Sequence, residues 1–190
     1  MTLRSDLQQV IDEVDAADRA ADEIVAPLGE TKFHRQPDEG RAWSIAQCID
    51  HLATINVFYG AAIERAVEHA RQRGVRGGGP IAPTFFGARF LSSLEPPVKL
   101  RSRAPASVTP RSAGTRDDIR AAYHASHDRF RELVRSCADV DVNRARFQNP
   151  FFPIFKVRVG TGLRVIPAHD RRHLWQARQV VAKMPGPAGK

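Results

Sequence analysis

The N-terminal region of the chain reads LRSDLQQVIDEVDAADRAADEIVAPL from Leu3 to Leu28. Its apolar and small residues recur at alternating steps of four and three. This spacing aligns them on one face of a helix as a heptad seam. Pro27 and Gly29 end the pattern. The region therefore predicts one amphipathic helix, whose apolar face must be covered by other helices. The seam consists of Leu3, Leu7, Val10, Val14, Ala17, Ala21, Ile24 and Leu28.

Two further helices are predicted from a cap followed by helical periodicity. Ser44 with Gln47 three residues later is typical of a capping box, and the helix that it opens fades near Gly74. Thr115 opens the next, which carries aspartates in its first turn and runs to Cys137.

The last helix covers roughly Leu163 to Met184 and is stopped by the Pro-Gly-Pro run at 185–187. Pro167 leaves its start open between Gly162 and Pro167, because an interior proline removes a backbone hydrogen bond. The only strand pattern is short, at 156–159. Four amphipathic helices predict an all-α four-helix bundle.

Residues 71–116 form the connection between the second and third of these helices. They hold nine basic residues against the single acid Glu95, together with six glycines and six prolines. This composition predicts a long basic crossover loop without a regular helix. The aromatic residues within 84–91 are expected to pack back onto the bundle, as is the aromatic loop at 149–155. Residues 1–30, in contrast, hold eight acidic and two basic side chains.

Composition limits the class of protein. The 190 residues are 42% hydrophobic and 26% charged, which is ordinary globular usage and predicts a single domain over 1–190. No apolar run reaches the roughly 18 residues of a membrane span, and the N-terminus does not resemble a secretory signal. Cys48 and Cys137 fall in apolar helical patterns, so we expect buried free thiols in a reducing compartment. These features predict a soluble, cytoplasmic protein with no membrane partner.

Three of the seven histidines suggest a metal site. His169 and His173 lie four residues apart, so both imidazoles project from one helix face and can reach one ion. Without other ligands, the pair is as well explained as polar surface residues. His51 falls inside the apolar tract of the second helix, where a buried ring needs a hydrogen-bond partner or a metal. Three nitrogens from facing helices would give a site with an open fourth position.

Other polar residues have weaker claims on this site. His127, which follows His124 at helical spacing, is expected to act in an outer shell or to face solvent rather than bind the ion. Gln47 and Gln176 could orient a water or a ligand, or they could act as a helix cap and a solvated side chain. His34 and His69 are predicted to lie at the surface, and Asp170 or Gln47 could supply a fourth ligand.

Two motifs give the chain a family resemblance. The run WSIAQCIDHL at 43–52 and the run HDRRHLWQ at 169–176 resemble the two histidine motifs of the DinB-like (DinB/YfiT-like) family. The stretches EPPVK at 95–99 and VTP at 108–110 resemble its linker between the second and third helices. The resemblance follows the family's order over most of the chain, although Pro167 departs from its usual unbroken last helix.

This resemblance implies a bundle that binds a divalent metal through His51, His169 and His173. Family members bind nickel, zinc or other divalent ions, and many are homodimers. The better understood branches resemble thiol S-transferases that use a low-molecular-weight thiol such as mycothiol, bacillithiol or glutathione. The expectation is a metal-dependent thiol S-transferase or hydrolase acting on a small molecule. The spacing does not choose between nickel and zinc, because imidazole suits both.

Two alternatives remain open at this point. The metal could only stabilise the bundle, without catalysis. The pI of about 10.3 could instead indicate binding of nucleic acid or another anion through the basic segment. No helix-turn-helix, zinc-finger or RNA-binding motif accompanies that charge, so nucleic acid is not the expected partner. The basic segment could equally hold an anionic thiol or be a solvated loop.

Overall fold

The computed structural model describes residues 3–98, 104–111 and 113–184. Within them lie four long α-helices, two short α-helices, three single-turn 3-10 helices and one small hairpin. The long helices are α1 (Ser5–Val25), α3 (Ile45–Gln72), α5 (Arg116–Ser136) and α6 (Val159–Ala182). The short helices are α2 (Glu30–His34) and α4 (Phe85–Leu94), and the strands are β1 (Arg146–Gln148) and β2 (Lys156–Arg158).

The four long helices form a bundle. Both α1 and α3 pack against α5 and against α6, so the four enclose a shared interior. The heptad seam of α1 lies in that interior, where its side chains from Leu7 to Ile24 are buried. The predicted all-α four-helix bundle is confirmed. Within the described part of the chain, no helix is both long and apolar enough to cross a membrane.

The helix starts follow the predicted caps. The Ser44 hydroxyl accepts a hydrogen bond from the Gln47 backbone N–H, and the Gln47 side chain accepts one from the Ser44 N–H. Thr115 and Asp118 form the same reciprocal pair at the start of α5. Both bonds satisfy amides that a helix start leaves unpaired, which is why the starts are legible in the sequence. Cys48 and Cys137 are buried free thiols, as expected.

Helix α6 begins earlier than predicted. It starts at Val159 and runs through Pro167, so a start between Gly162 and Pro167 is wrong. A proline inside a helix forfeits a hydrogen bond and costs about 3 kcal/mol. The turns before Pro167 are nevertheless buried, from Val159 to Leu163 and at Val165 and Ile166. Their packing offsets this cost. The Pro-Gly-Pro stop at 185–187 lies outside the described residues.

The hairpin packs between α3 and the start of α6. Strand β1 pairs antiparallel with β2, with Phe147 opposite Val157, so the weak strand pattern at 156–159 is confirmed over Lys156–Arg158. Phe147 is buried, and its ring lies edge-on to Tyr59 of α3 at 5.7 Å. A Cβ added at Gly162 would lie 2.5 Å from the Phe147 ring. Only glycine lets the ring and the helix backbone approach this closely.

The crossover differs from its prediction in two ways. It contains helix α4, because residues 85–94 include no proline and the Thr84 hydroxyl caps the Gly87 N–H. The overall composition of 71–116 concealed this local pattern. The aromatic residues were expected to pack inward, yet Phe85 and Phe86 are exposed, as are three large apolar side chains of the 149–155 loop. Three basic residues assigned to the crossover, Lys99, Arg101 and Arg103, lie outside the described residues.

Two glycine substitutions should change stability in opposite directions. We expect Gly162→Ala to lower the free energy of unfolding by about 1–3 kcal/mol, because its methyl group would overlap the Phe147 ring. Gly60→Ala is the matched control, since a Cβ there meets nothing within 4 Å, and it should raise stability by about 0.5–1 kcal/mol. Urea unfolding followed by circular dichroism measures both. Equal effects of the two substitutions would contradict this account of the packing.

Candidate metal centre

Two facing helices bring three histidines together. Helix α6 runs antiparallel to α3, since Gly162 lies beside Ile63 and His173 lies beside His51. One ring nitrogen from each of His51, His169 and His173 lies within 4.8 Å of the other two. The His169 and His173 rings are 4.6 Å apart, centroid to centroid. The i, i+4 pair and the single histidine therefore converge on one point.

Hydrogen bonds orient two of these rings. The Nδ1 of His51 lies 2.8 Å from the carbonyl oxygen of Val108, and the Nδ1 of His173 lies 3.0 Å from the Oε1 of Gln176. Both partners are acceptors, so each Nδ1–H donates and each Nε2 keeps its lone pair. The Nδ1 of His169 is buried with no hydrogen-bond partner. An all-imidazole donor set with an unpartnered buried nitrogen fits a divalent cation such as nickel or zinc.

The three imidazoles are held neutral. Burial lowers the pKa of His51, outweighing its hydrogen bond to Val108. Burial and the neighbouring His51 lower the pKa of His173 to about 3. Burial and the two other rings lower the pKa of His169 well below its ordinary value. Neutral rings at neutral pH are the form that binds a cation.

Trp43 and Val108 form part of the wall of this cluster. The indole stacks on the His173 ring at 5.5 Å and contacts the His51 ring at 4.9 Å. Val108 lies in the crossover and reaches His51 through its backbone carbonyl. Sequence reasoning missed the role of Val108, because a main-chain acceptor leaves no side-chain signal. The apolar indole limits the access of water to one side of the imidazoles.

The two glutamines have different positions. Gln47 completes the cap of α3 and also accepts a hydrogen bond from Gln36, so it supplies no ligand to the cluster. Gln176 contacts His173 and so lies next to the three histidines. This position is the one that a role in orienting a ligand needs. The predicted surface histidines lie elsewhere, since His69 is exposed and His34 pairs with Glu30.

His127 belongs to a separate buried network. Its Nδ1 lies 2.7 Å from Asp18 of α1, and its Nε2 lies 3.1 Å from Asp170 of α6. The His127 and Asp170 side chains have no solvent exposure. Arg131 pairs with Asp18 from the other side. The solvent-facing role predicted for His127 is wrong, because its side chain is buried, and the outer-shell role stays a prediction.

The charge of His127 differs from that of the three clustered rings. Burial opposes its protonation, but the carboxylates of Asp170 and Asp18 outweigh burial and raise the pKa of His127 to about 9. A protonated ring donates to both carboxylates at once. Asp170 follows His169 directly, yet its carboxylate contacts His127 and is not part of the histidine cluster. A fourth ligand from Asp170 therefore lacks support.

The fold and the histidine cluster agree with a comparison against protein families. A family model described as the DinB superfamily matches residues 13–177. The chain belongs to the DinB superfamily. The matched span contains His51, His169 and His173 and all of α3 and α5. Searches of curated proteins and of solved structures found no match. The match identifies the family and does not specify a reaction.

The His127 network predicts a pH-dependent stability. The pKa of His127 is raised above 6.5, so its contribution is complete below pH 6.5 and is lost as the pH rises through about 9. His127→Gln leaves the buried Asp170 carboxylate without its charged partner, while Asp18 keeps Arg131, and we expect it to cost about 3 kcal/mol at pH 6.5. Above pH 9 the difference from the unmodified protein should shrink. Urea unfolding from pH 6 to pH 10 measures this.

His124→Gln is the control for this substitution. His124 also lies on α5 and pairs with Asp18 and Asp22, but it is half-buried, so its loss should cost at most about 1 kcal/mol. A cost for His127→Gln that stays constant across the pH range would show that packing, and not charge, is what the substitution removes.

Proposed function

We propose that this DinB superfamily protein is a divalent-metal-dependent enzyme of the thiol S-transferase or hydrolase type, acting on a small molecule. The observation that carries the proposal is the convergence of His51, His169 and His173, whose ring nitrogens lie within 4.8 Å of one another. Two of these rings are oriented by hydrogen bonds from Nδ1, an arrangement typical of metal-binding histidines.

The composition of the cluster favours reaction over purely structural binding. Among the described residues, no carboxylate or thiolate joins the three histidines. Closed structural sites use four protein ligands, whereas reactive sites use three and leave one position for water or substrate. A divalent ion held here, nickel or zinc by preference, would act as a Lewis acid and lower the pKa of a bound thiol or water.

The attacking thiol in this proposal comes from solution. Cys48 lies one turn before His51 on α3, but it is fully buried, and burial raises the pKa of its thiol to about 12. Burial also raises the pKa of Cys137 to about 12. Both side chains stay protonated at neutral pH and are poor nucleophiles. A low-molecular-weight thiol is therefore the proposed co-substrate, with hydrolysis by water as the other reaction.

The protein's own residues set the environment of the reacting group. His51 and His173 keep their Nδ1 protons on Val108 and Gln176, which fixes the tautomer that offers Nε2. Trp43 covers one side of both rings and excludes water there. A drier setting strengthens the electrostatic interactions of the three imidazoles with a bound cation.

A cytoplasmic location and a homodimeric state are also part of the proposal. Free buried thiols suit a reducing compartment, which supports a cytoplasmic location. Homodimer formation stays a prediction that rests on the family resemblance.

Metal content tests the proposal directly. We expect tag-free protein to hold about one divalent ion per chain, and His51→Ala and His173→Ala to lose it because each removes one of three nitrogens. His69→Ala is the matched control, since His69 lies on α3 with His51 but is exposed. Elemental analysis after dialysis measures the content. An ion retained in both cluster variants would place the metal elsewhere.

Catalysis needs its own readout. The metal-loaded protein and its His173→Ala variant should be compared for conjugation of glutathione, mycothiol or bacillithiol to an electrophile, and for hydrolysis without thiol. We expect the rate to fall to background in the variant. Metal binding without any turnover in this panel would support the non-catalytic alternative.

Gln176 is expected to set metal affinity. Gln176→Leu removes the acceptor of the His173 Nδ1–H, and loss of such an outer partner typically weakens binding by about 10–100-fold. Gln179→Leu, on the exposed face of the same helix, should leave affinity unchanged. Competition with a chromogenic chelator measures both constants. If the two variants bind equally well, the hydrogen bond does not contribute to affinity.

A further inference from the structure

Exposed apolar side chains gather in two segments of the chain. In α4, Phe85 is 79% and Phe86 is 81% exposed, and none of the helix's residues is buried. In the loop between β1 and β2, Ile154 is 87% and Phe155 is 62% exposed, with Phe152 also exposed. The Phe85 and Phe86 rings contact each other, with centroids 5.7 Å apart, and contiguous exposed apolar surface marks a site of interaction. We call these residues, together with Phe90, the apolar face.

Both segments are anchored at the start of α6. A Cβ added at Gly87 of α4 would lie 3.2 Å from the Thr161 side chain in the first turn of α6. Arg158, the last residue of β2, donates a hydrogen bond of 3.0 Å to the carbonyl of Ala82, which leads into α4. The apolar side chains therefore flank one end of the bundle. Along the α6 axis, about 18 Å separates Thr161 from His173, so the start of α4, where Phe85 and Phe86 lie, is distant from the histidine cluster.

The two sequence regions that carry the apolar face are basic. The sequence has no acidic residue over 73–94 or over 142–168. One of the basic residues, Arg76, pairs with Asp139, while Arg89, Arg146 and Lys156 are exposed. The partner that this charge fits is anionic. The basic residues of regions 73–94 and 142–168 are Arg73, Arg76, Arg89, Arg144, Arg146, Lys156, Arg158 and Arg164.

Three kinds of partner differ in how well they match these features. A second copy related by a two-fold axis would place the same positive charges against one another. Single-stranded nucleic acid uses aromatic side chains for base stacking, but Ile154, the most exposed apolar side chain, is aliphatic. Aromatic and aliphatic side chains enter the boundary between headgroups and acyl chains, where nearby Lys and Arg contact anionic headgroups.

We propose that the apolar face docks on an anionic phospholipid surface, with no segment crossing the bilayer. Phe85, Phe86, Ile154 and Phe155 enter the headgroup boundary, and Arg89 and Lys156 contact the lipid phosphates. This docking differs from the sequence-based expectation that the protein has no membrane partner. It does not depend on the metal centre, so either proposal can fail alone.

Vesicle flotation with the full, tag-free chain tests this docking. We expect binding to vesicles of phosphatidylcholine and phosphatidylglycerol, weakening with added salt, and little binding to phosphatidylcholine alone. Ile154→Ser with Phe155→Ser, and separately Phe85→Ser with Phe86→Ser, should each reduce binding by about tenfold or more. Val181→Ser is the matched control, because Val181 is an exposed apolar residue near the other end of α6. Circular dichroism checks that each variant is folded.

Each other outcome overturns the proposal in a distinct way. No binding to anionic vesicles at low salt, or equal binding by the serine variants, removes the face as a lipid contact. Equal binding to neutral vesicles removes the role of charge. Self-association that the serine variants abolish, in the absence of vesicle binding, assigns the face to a second copy. Binding of single-stranded DNA lost in the same variants, again without vesicle binding, assigns it to nucleic acid.

Discussion

At the centre of the bundle, the His127 ring of α5 bridges Asp18 of α1 and Asp170 of α6. A buried carboxylate needs a partner, and the His127 ring supplies one to Asp170, while Asp18 also pairs with Arg131. The bridge requires that the Asp170 side of α6 face α5, and the buried apolar residues of α6 pack in the same orientation. Consecutive helical residues point about 100° apart, so Asp170 can face α1 and α5 while His169 faces α3. The convergence of the three clustered histidines depends on this orientation.

Histidine therefore has two opposite roles in this core. His127 lies between carboxylates that outweigh its burial and raise its pKa to about 9. For His51 and His173 burial is the larger effect, and it lowers the pKa of both. One ring is kept charged to hold helices together, and the others are kept neutral to offer lone pairs. Because the Asp170 carboxylate contacts His127, it raises the pKa of that ring and is not part of the histidine cluster.

The sequence was most informative where a local rule acts alone. Helix starts at Ser44 and Thr115 are set by side chains within three residues, so they could be predicted. The i, i+4 pair of His169 and His173 is likewise local, and the depth of His51 followed from its apolar neighbours. Helix α4 was missed because average composition hid a proline-free stretch. Pro167 misled because the packing that tolerates it comes from distant parts of the chain.

What could not be predicted depends on contacts between distant residues. The His51–Val108 hydrogen bond spans 57 positions and uses a backbone carbonyl. The acceptors of His127 lie 109 and 43 positions away, so its spacing from His124 showed neither its burial nor its charge. The glutamines show the same limit, since Gln47 and Gln176 both suited the site by type. Only their partners separate a helix cap from a ring-orienting acceptor.

The distribution of charge follows from the same packing. The acidic face of α1 lies against α5, where Asp15, Asp18 and Asp22 pair with basic residues of that helix. Charge that is neutralised between helices does not contribute to the field around the molecule. The basic residues of the crossover and the hairpin have far fewer acidic neighbours in sequence. The net charge of +8 is therefore concentrated on the segments that also expose Phe86 and Ile154, which is why charge and apolar surface have to be explained together.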